Sequence, residues 1–497
     1  MSPESLVETF LEEGRIDHFD RSLAKKIVPG KVSWLALWVV KAFRQGITIA
    51  KIDENLHPCP AAVFVDEQFV VPKSHECEAI EKSIKEEIAF FDSMGIVIDP
   101  PFIALSYSYG IERALQRHSR RLLKAAPFIP LSLPRELEAV NDDQRRAIIG
   151  ACEHTFSLIT GGPGTGKTYT AGIYLQHVAK TSPIPLKVAL VAPTGRAVQA
   201  LEKSIGRFVN DSISIQAHTI HSLIRSKEYL PFHLIIVDEC SMVDSDLMLS
   251  LFERIHSGVR VLMLGDADQL PPIEPGRPFL QLLQELPAYR LQTCQRTNVR
   301  DILTLASLVC DGNSEEVREW LSTNSSEEVC FYNCQTSEEW GQFYNIVDEE
   351  ITAMWKKSSK AAVCLTPIRK GPFGTEAINE RVSKELVDQK VEPIVVCKNA
   401  HNLRLMNGEL GLLEKESGEI LFAHGKIPLA LCPQIEKAYA MTVHKSQGSE
   451  FDTVLFVLPP KAYVDRKLLY TAITRAKKRL IIVADIEDFS NLYKVCI

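Results

Sequence analysis

The sequence predicts an α/β protein made of two doubly wound parallel-sheet domains in tandem, with a mainly helical domain before them and a small β insertion in the second. Three observations predict it. Apolar β-type runs alternate with longer helical segments from about residue 135 to the end. The first of those runs empties into a glycine-rich loop that opens a helix. Residues about 392–436 interrupt the alternation with short β runs around Met406-Asn407-Gly408-Glu409. A chain of 497 residues also exceeds one core, since domains hold roughly 100 to 200 residues.

In chain order, residues 1–130 carry helical periodicity, as in Leu6-Val7-Phe10-Leu11 and Leu35-Val39-Phe43, and no catalytic pattern, so they read as a docking or accessory domain. Ala125 to Pro134 holds three prolines and reads as a linker. The first sheet domain is expected over 135–295, with strands at Phe156–Thr160, Val188–Ala192, Leu234–Val237 and Val261–Leu264. The second is expected over 296–497, with strands at Ala362–Leu365, Thr453–Val457 and Leu480–Val483.

With 45% hydrophobic and 24% charged residues, the composition is that of a globular chain. A net charge of -7 excludes an overall basic coat, so any nucleic-acid contact must come from local basic strips. The longest apolar runs, such as Trp34 to Val40, fall far short of the roughly 20 residues a bilayer crossing needs. The acidic start lacks a secretory pattern, and a cytoplasmic location is expected. Twelve cysteines at irregular spacing, with Cys330 and Cys334 the one close pair, read as reduced structural thiols.

The sharpest pattern is Gly161-Gly162-Pro163-Gly164-Thr165-Gly166-Lys167-Thr168, a P-loop between strand and helix. Its glycines let backbone N–H groups turn toward phosphates, Lys167 reaches the β- and γ-phosphates of ATP, and the Thr168 hydroxyl suits Mg2+. Downstream, Leu234-Ile235-Ile236-Val237 ends in Asp238-Glu239. Asp238 would hold the magnesium shell and Glu239 would position or deprotonate the attacking water. The plainer alternative is a strand-end acid pair that caps a helix. A third apolar strand leads into Gly265-Asp266-Ala267-Asp268-Gln269, which places the amide of Gln269 near the γ-phosphate. A kinase, a GTPase or a ring ATPase would share the first two of these features.

Taken in order, Asn141-Asp142-Asp143-Gln144, the P-loop, Ala192-Pro193-Thr194-Gly195-Arg196-Ala197, Val237-Asp238-Glu239-Cys240-Ser241-Met242 and the Gln269 segment resemble motifs Q, I, Ia, II and III of superfamily 1 helicases. Gln295-Arg296, Tyr439 to Phe451 (with Thr442-Val443-His444-Lys445-Ser446-Gln447-Gly448) and Leu469-Tyr470-Thr471-Ala472-Ile473-Thr474-Arg475-Ala476 are similar to motifs IV, V and VI. Their forms are those of the 5′-to-3′ branch that contains RecD. The resemblance covers about 135–497 and implies tandem RecA-like domains with ATP bound between them.

It further implies that Gln144 reads the adenine edge, that Gly448 and Glu450 belong to the nucleotide site, and that Arg296 and Arg475 act as arginine fingers. Single-stranded DNA would be held by Thr194, Gly195 and Arg196 on the first domain and by Thr442, His444, Lys445 and Ser446 on the second. His218 and His221 fall in a segment the family keeps near DNA, but a helix-packing role is expected for both. Arg369 is a further candidate for DNA or nucleotide contact. Glu13 to Asp20, Ala24, Trp34-Leu35-Ala36-Leu37 and Gln45-Gly46 are similar to the domain by which RecD docks in the RecBCD complex, which implies RecB-like and RecC-like partners. Between His221 and Leu234 only twelve residues intervene, where many relatives carry a strand-separating pin. No cluster of acids with a lysine stands out for nuclease chemistry. The rival to a translocating motor is an ATP-binding switch that does not move.

Overall fold

The computed structural model describes residues 49–51, 96–99 and 102–491, apart from short internal stretches that include 135–136, 226–228, 295–298, 358–361 and 461–464. Most of the expected N-terminal helical domain, and Arg296 with it, lie outside the described residues. What is described before residue 106 is a three-stranded antiparallel sheet of β1 (Ile49–Lys51), β2 (Ile96–Asp99) and β3 (Phe102–Leu105), with β3 central. Helical periodicity had not anticipated it. The β-branched run Ile96-Val97-Ile98 suits a strand better than a helix.

Six parallel strands form the first large sheet: β4 (Phe156–Gly161), β5 (Leu186–Ala192), β6 (Ile213–Thr219), β7 (Leu234–Val237), β8 (Arg260–Gly265) and β9 (Ala288–Leu291), in the order β6-β5-β7-β8-β4-β9. The chain leaves β4 for β5 on the far side of β7 and β8, so the strand order reverses at β4 and opens a crevice at its carboxyl end. Both faces are covered. Phe156 and Leu158 of β4 pack into one core with Met248 and Phe252, and Ile159 packs into the other with Ile148, Tyr174 and Leu175. This is the pattern of a strand buried on both sides, apolar toward each core, with Ser157 and Thr160 as buried polar exceptions.

Helix α1 (Ser106–Lys124) sends Ile111, Leu115 and Leu122 into the first of those cores. The other helices that bear on the site are α2 (Asp142–Glu153), α3 (Lys167–Thr181), α4 (Gly195–Gly206) and α5 (Ser245–Arg254). Asn141 starts α2 through a capping box, accepting from the Gln144 N–H while the Gln144 side chain accepts from the Asn141 N–H.

The second large sheet is also parallel, with β10 (Val329–Asn333), β11 (Ala362–Thr366), β17 (Ala440–Thr442), β18 (Phe451–Val457) and β19 (Ala476–Ala484) in the order β10-β19-β18-β11-β17. Around it lie α6 (Arg300–Asp311), α7 (Thr375–Glu385) and α8 (Arg466–Ile473). Between α7 and β17 the chain forms a separate antiparallel sheet of β12 (Val391–Val396), β13 (Leu410–Glu414), β14 (Glu419–Phe422), β15 (Gly425–Pro428) and β16 (Ile435–Lys437), with β15 and β16 at its edges. Ile394, Val396, Leu405, Ile420 and Phe422 form its core. Each strand expected from the sequence has a counterpart that matches it or extends it by a few residues. The unforeseen strands β6, β9 and β10 are partly polar edge or near-edge strands, where a weaker apolar signal suffices. Among the described residues, no helix is long and apolar enough to cross a membrane.

Candidate nucleotide and nucleic-acid site

The crevice at the end of β4 is lined by the P-loop. Gly164 (φ 77°) and Gly166 (φ 86°) take left-handed backbone conformations there, and Gly166 leads directly into α3. Lys167 is the first residue of that helix, and its Nζ donates to the carbonyls of Gly161 (2.6 Å) and Gly162 (3.2 Å). The ammonium is thus held over the loop by weak acceptors that an anion can replace. Gln144, almost wholly buried, donates from Nε2 to the Thr165 carbonyl at 3.3 Å, so its amide braces the loop from behind.

From β7, two strands away, come the acids. The Thr168 hydroxyl donates to Asp238 Oδ2 at 3.4 Å, and the Glu239 N–H donates to Asp238 Oδ1 at 2.8 Å. Burial raises the Asp238 carboxyl above its ordinary range, against the pull of Lys167. Glu239 is likewise raised, by burial and then by the charge of Asp238, while Arg475 and Lys167 oppose the rise. Among the described residues Glu239 is the one non-glycine with positive φ (53°), a conformation that bulky residues adopt at a cost and that recurs at functional sites. These oxygens are hard donors suited to Mg2+, and the hydroxyl-to-carboxylate approach brings two of them together.

Gln269 lies on the neighbouring loop with its Nε2 donating to Asp266 Oδ2 (3.0 Å), and its Oε1 is buried without a protein partner. The second sheet reaches the same loop. Tyr470 of α8 donates from its hydroxyl to Asp266 Oδ2 (3.1 Å), the Leu270 N–H donates to Thr471 Oγ1 (2.9 Å), Lys467 Nζ donates to the Ala267 carbonyl (3.3 Å), and Gln447 Nε2 donates to the Leu270 carbonyl (3.2 Å). The sequence by itself assigns no role to Tyr470, Thr471 or Lys467. Their signal was positional only, since nothing local shows that α8 faces a loop some 200 residues earlier.

Arg475 is buried and donates to the carbonyls of Thr471 (3.1 Å) and Ser449 (3.0 Å). Arg196, expected at DNA, lies against the Phe451 ring (5.9 Å to the centroid) with one guanidinium nitrogen buried and unpartnered. Burial, and then the charge of Arg475, lower its pKa to about 10, while Glu450 and Glu409 oppose the fall. Its surroundings bridge the two sheets. Thr194 caps α4 by accepting from the Ala197 N–H, and a Cβ placed on Gly448 would lie 3.8 Å from the Thr194 hydroxyl. Gly195 is the first residue of α4. Glu450 pairs with Lys477 at 3.4 Å.

At the carboxyl end of β17, Thr442 accepts from the Lys445 N–H, and burial lowers the pKa of His444. The Ser446 hydroxyl is fully buried and donates to the Val443 carbonyl, which turns it away from solvent. Lys445 is drawn toward Glu436 of β16 (2.8 Å). His218 lies on β6 and not on a helix, and His221 is exposed, so neither fills the helix-packing role expected of it.

Two family models match the chain: an AAA domain over residues 139–327 and a UvrD-like helicase C-terminal domain over 437–483. The "RecBCD enzyme subunit RecD" of Mycobacterium tuberculosis (strain ATCC 25618 / H37Rv) is 30% identical over 405 residues, covering 69% of each chain. That of Haemophilus influenzae is 28% identical over 448 residues, covering 70% of each. The "ATP-dependent RecD2 DNA helicase" of Deinococcus radiodurans is 31% identical over 381 residues, which is 69% of this chain and 48% of that one. Among solved structures, Bacteroides Pif1 bound to single-stranded DNA matches with a TM-score of 0.43 and 16% identity over 70% of this chain and 92% of that one.

Proposed function

The chain belongs to the RecD family and is an ATP-dependent DNA helicase, and from that premise we propose that the two parallel sheets are tandem RecA-like motor domains that close on ATP between them. The observation that carries this reading is the hydrogen bonding of α8, from the second sheet, to the loop that follows β8 in the first: Tyr470 to Asp266, Thr471 to Leu270 and Lys467 to Ala267.

Lys167 exchanges its loop carbonyls for the β- and γ-phosphates. Thr168 and Asp238 are the residues that would hold Mg2+, which when bound neutralises phosphate charge. Glu239, whose carboxyl its buried setting raises above the ordinary range, accepts a proton from the attacking water. Gln269 reports the γ-phosphate to Asp266, and through Tyr470 to the second sheet. Gln144 braces the P-loop and reads the adenine, while Arg475, and Arg296 with it, supply positive charge when the cleft closes. Gly448 and Glu450 line the nucleotide side. Arg196 supports the contact between the sheets as well as the strand path along Thr194, Gly195, Thr442, His444, Lys445 and Ser446.

In this reading the motor moves 5′ to 3′ on single-stranded DNA. It works in the cytoplasm with RecB-like and RecC-like subunits, docked through residues 1–130, with the antiparallel sheet at 391–437 as an insertion in the second domain. A motor active without those partners is the second reading, favoured by the 31% identity to a RecD2 helicase. The deciding measurement is steady-state ATP hydrolysis by the purified chain, with and without single-stranded DNA, at two salt concentrations, beside Lys167→Gln. Stimulation that weakens with salt, and is absent in Lys167→Gln, is the expected result. Turnover that persists in Lys167→Gln overturns the site assignment, and ATP binding without stimulation favours a switch.

A further inference from the structure

Arg369 and Lys445 meet the carboxylate of Glu436 at the carboxyl end of the second sheet, with a second carboxylate, Glu376, 4.0 Å from Arg369 Nε. β11 and β17 are parallel neighbours there, with Thr366 opposite Thr442, so the segments that follow them emerge side by side. One carries Arg369 and the other Lys445. The third member arrives from the antiparallel insertion: Glu436 lies on its edge strand β16. Arg369 Nη2 donates to Glu436 Oε1 at 3.0 Å, and Lys445 Nζ donates to Glu436 Oε2 at 2.8 Å and to Cys397 Sγ at 3.1 Å. One carboxylate thus engages both cations, one at each oxygen, as a phosphodiester with two free oxygens would. The hydrogen bond from Lys445, with smaller help from Arg369, holds the Glu436 carboxyl below its ordinary range.

We infer that Arg369 and Lys445 form a phosphate subsite of the single-strand path, and that Glu436 occupies it in the DNA-free protein as a built-in competitor for the DNA backbone. The inference rests on the DNA path proposed above, in which Lys445 is a backbone contact. The side chains are 61% (Arg369), 26% (Lys445) and 37% (Glu436) exposed, so the pairs are open to water and exchangeable. Exposed ion pairs of this kind are weak, and a strand that supplies a phosphate can displace the carboxylate. The expected consequence is a lowered affinity for any single strand, independent of sequence, which lets the motor release and re-form this grip as it advances.

The test is fluorescence anisotropy of a labelled oligothymidylate titrated with the full chain over a range of salt, comparing wild type with Glu436→Gln. The variant should bind roughly tenfold more tightly at low salt, and its log affinity should fall more steeply with log salt, by about 0.7 for each cation freed. Adding Lys445→Gln to Glu436→Gln should abolish the gain. Glu487→Gln makes the same charge change at the exposed pair with Arg318 and should leave affinity unchanged. A folded Glu436→Gln that binds no more tightly than wild type, or a gain that Glu487→Gln reproduces or that survives loss of Lys445, overturns the inference. If Glu436→Gln loses thermal stability, Glu436→Asp withdraws the carboxylate while keeping the charge, and must still tighten binding. Absence of salt-dependent binding by wild type would instead sink the DNA path itself.

Discussion

Arg260 shows how much one side chain can decide. It is buried at the start of β8 and donates to the carbonyls of Ile129, Ala151, Cys152 and His154, so it satisfies the carboxyl end of α2 and ties the linker to the sheet. Its charge is spread over backbone acceptors, which is how a buried guanidinium is tolerated without a carboxylate. Arg260→Leu leaves those carbonyls without a donor and should destabilise the first sheet domain by about 3 to 5 kcal/mol, read as a lowered denaturant midpoint. Unchanged stability would mean that water replaces the guanidinium at no cost. The same economy holds for Lys167 and Arg475, which both rest on backbone carbonyls and not on carboxylates. Neither would have to break a strong ion pair to meet a phosphate.

At the scale of the element, α8 is the link between the sheets. Its capped start at Asp465 fixes its direction, and along one side it presents Lys467, Tyr470 and Thr471 to the loop after β8. The Tyr470 hydroxyl also lies 2.8 Å from where a Cβ on Gly162 would stand, so one phenol touches both the P-loop and the Gln269 loop. Tyr470→Phe removes only the bond to Asp266, worth about 1 kcal/mol, and should leave the fold and the KM for ATP nearly unchanged. It should lower the DNA-stimulated kcat several-fold, because Gln269 and the second sheet then lose their shared carboxylate. A change in KM alone would assign the tyrosine to nucleotide binding instead.

Across the whole molecule, the contact between the sheets carries its own titration. Burial pushes the Lys467 ammonium down from its ordinary 10.5 to about 8, with Arg277 and Arg466 adding to the fall and Asp465 and Asp268 opposing it. A folded pKa below the unfolded one means that stability from this group is fully present above about 10.5 and is lost as pH falls toward about 8. The stability of wild type relative to Lys467→Met should therefore rise between about pH 8 and 10.5, by a few kcal/mol at most, measured as the difference in denaturant midpoints. A flat difference would show that the ammonium is solvated and the sheets less tightly joined. A contact with polar bonds of this kind between the sheets is one that can open and re-form, as the proposed motor requires.

The central strands of both parallel sheets, the short β runs between them at about 392–436 and the P-loop were legible in the sequence because each rests on local pattern: apolar runs of strand length, turn residues between them, and glycines where backbone must turn toward phosphate, whereas the edge strands β6, β9, β10 and β17 carry too weak an apolar signal. Asp238 and Glu239 were legible for the same reason, as the polar end of an apolar strand. What tertiary structure alone decided is which distant groups meet. It set Tyr470 on Asp266, Arg196 against Phe451 and Glu436 between Arg369 and Lys445. Each of these pairings joins segments with no shared periodicity, and each depends on where the order of a sheet or the edge of an insertion brings the chain back. Sequence determines the pieces because their energetics are local, while the couplings between them arise from long-range packing that no window of residues contains.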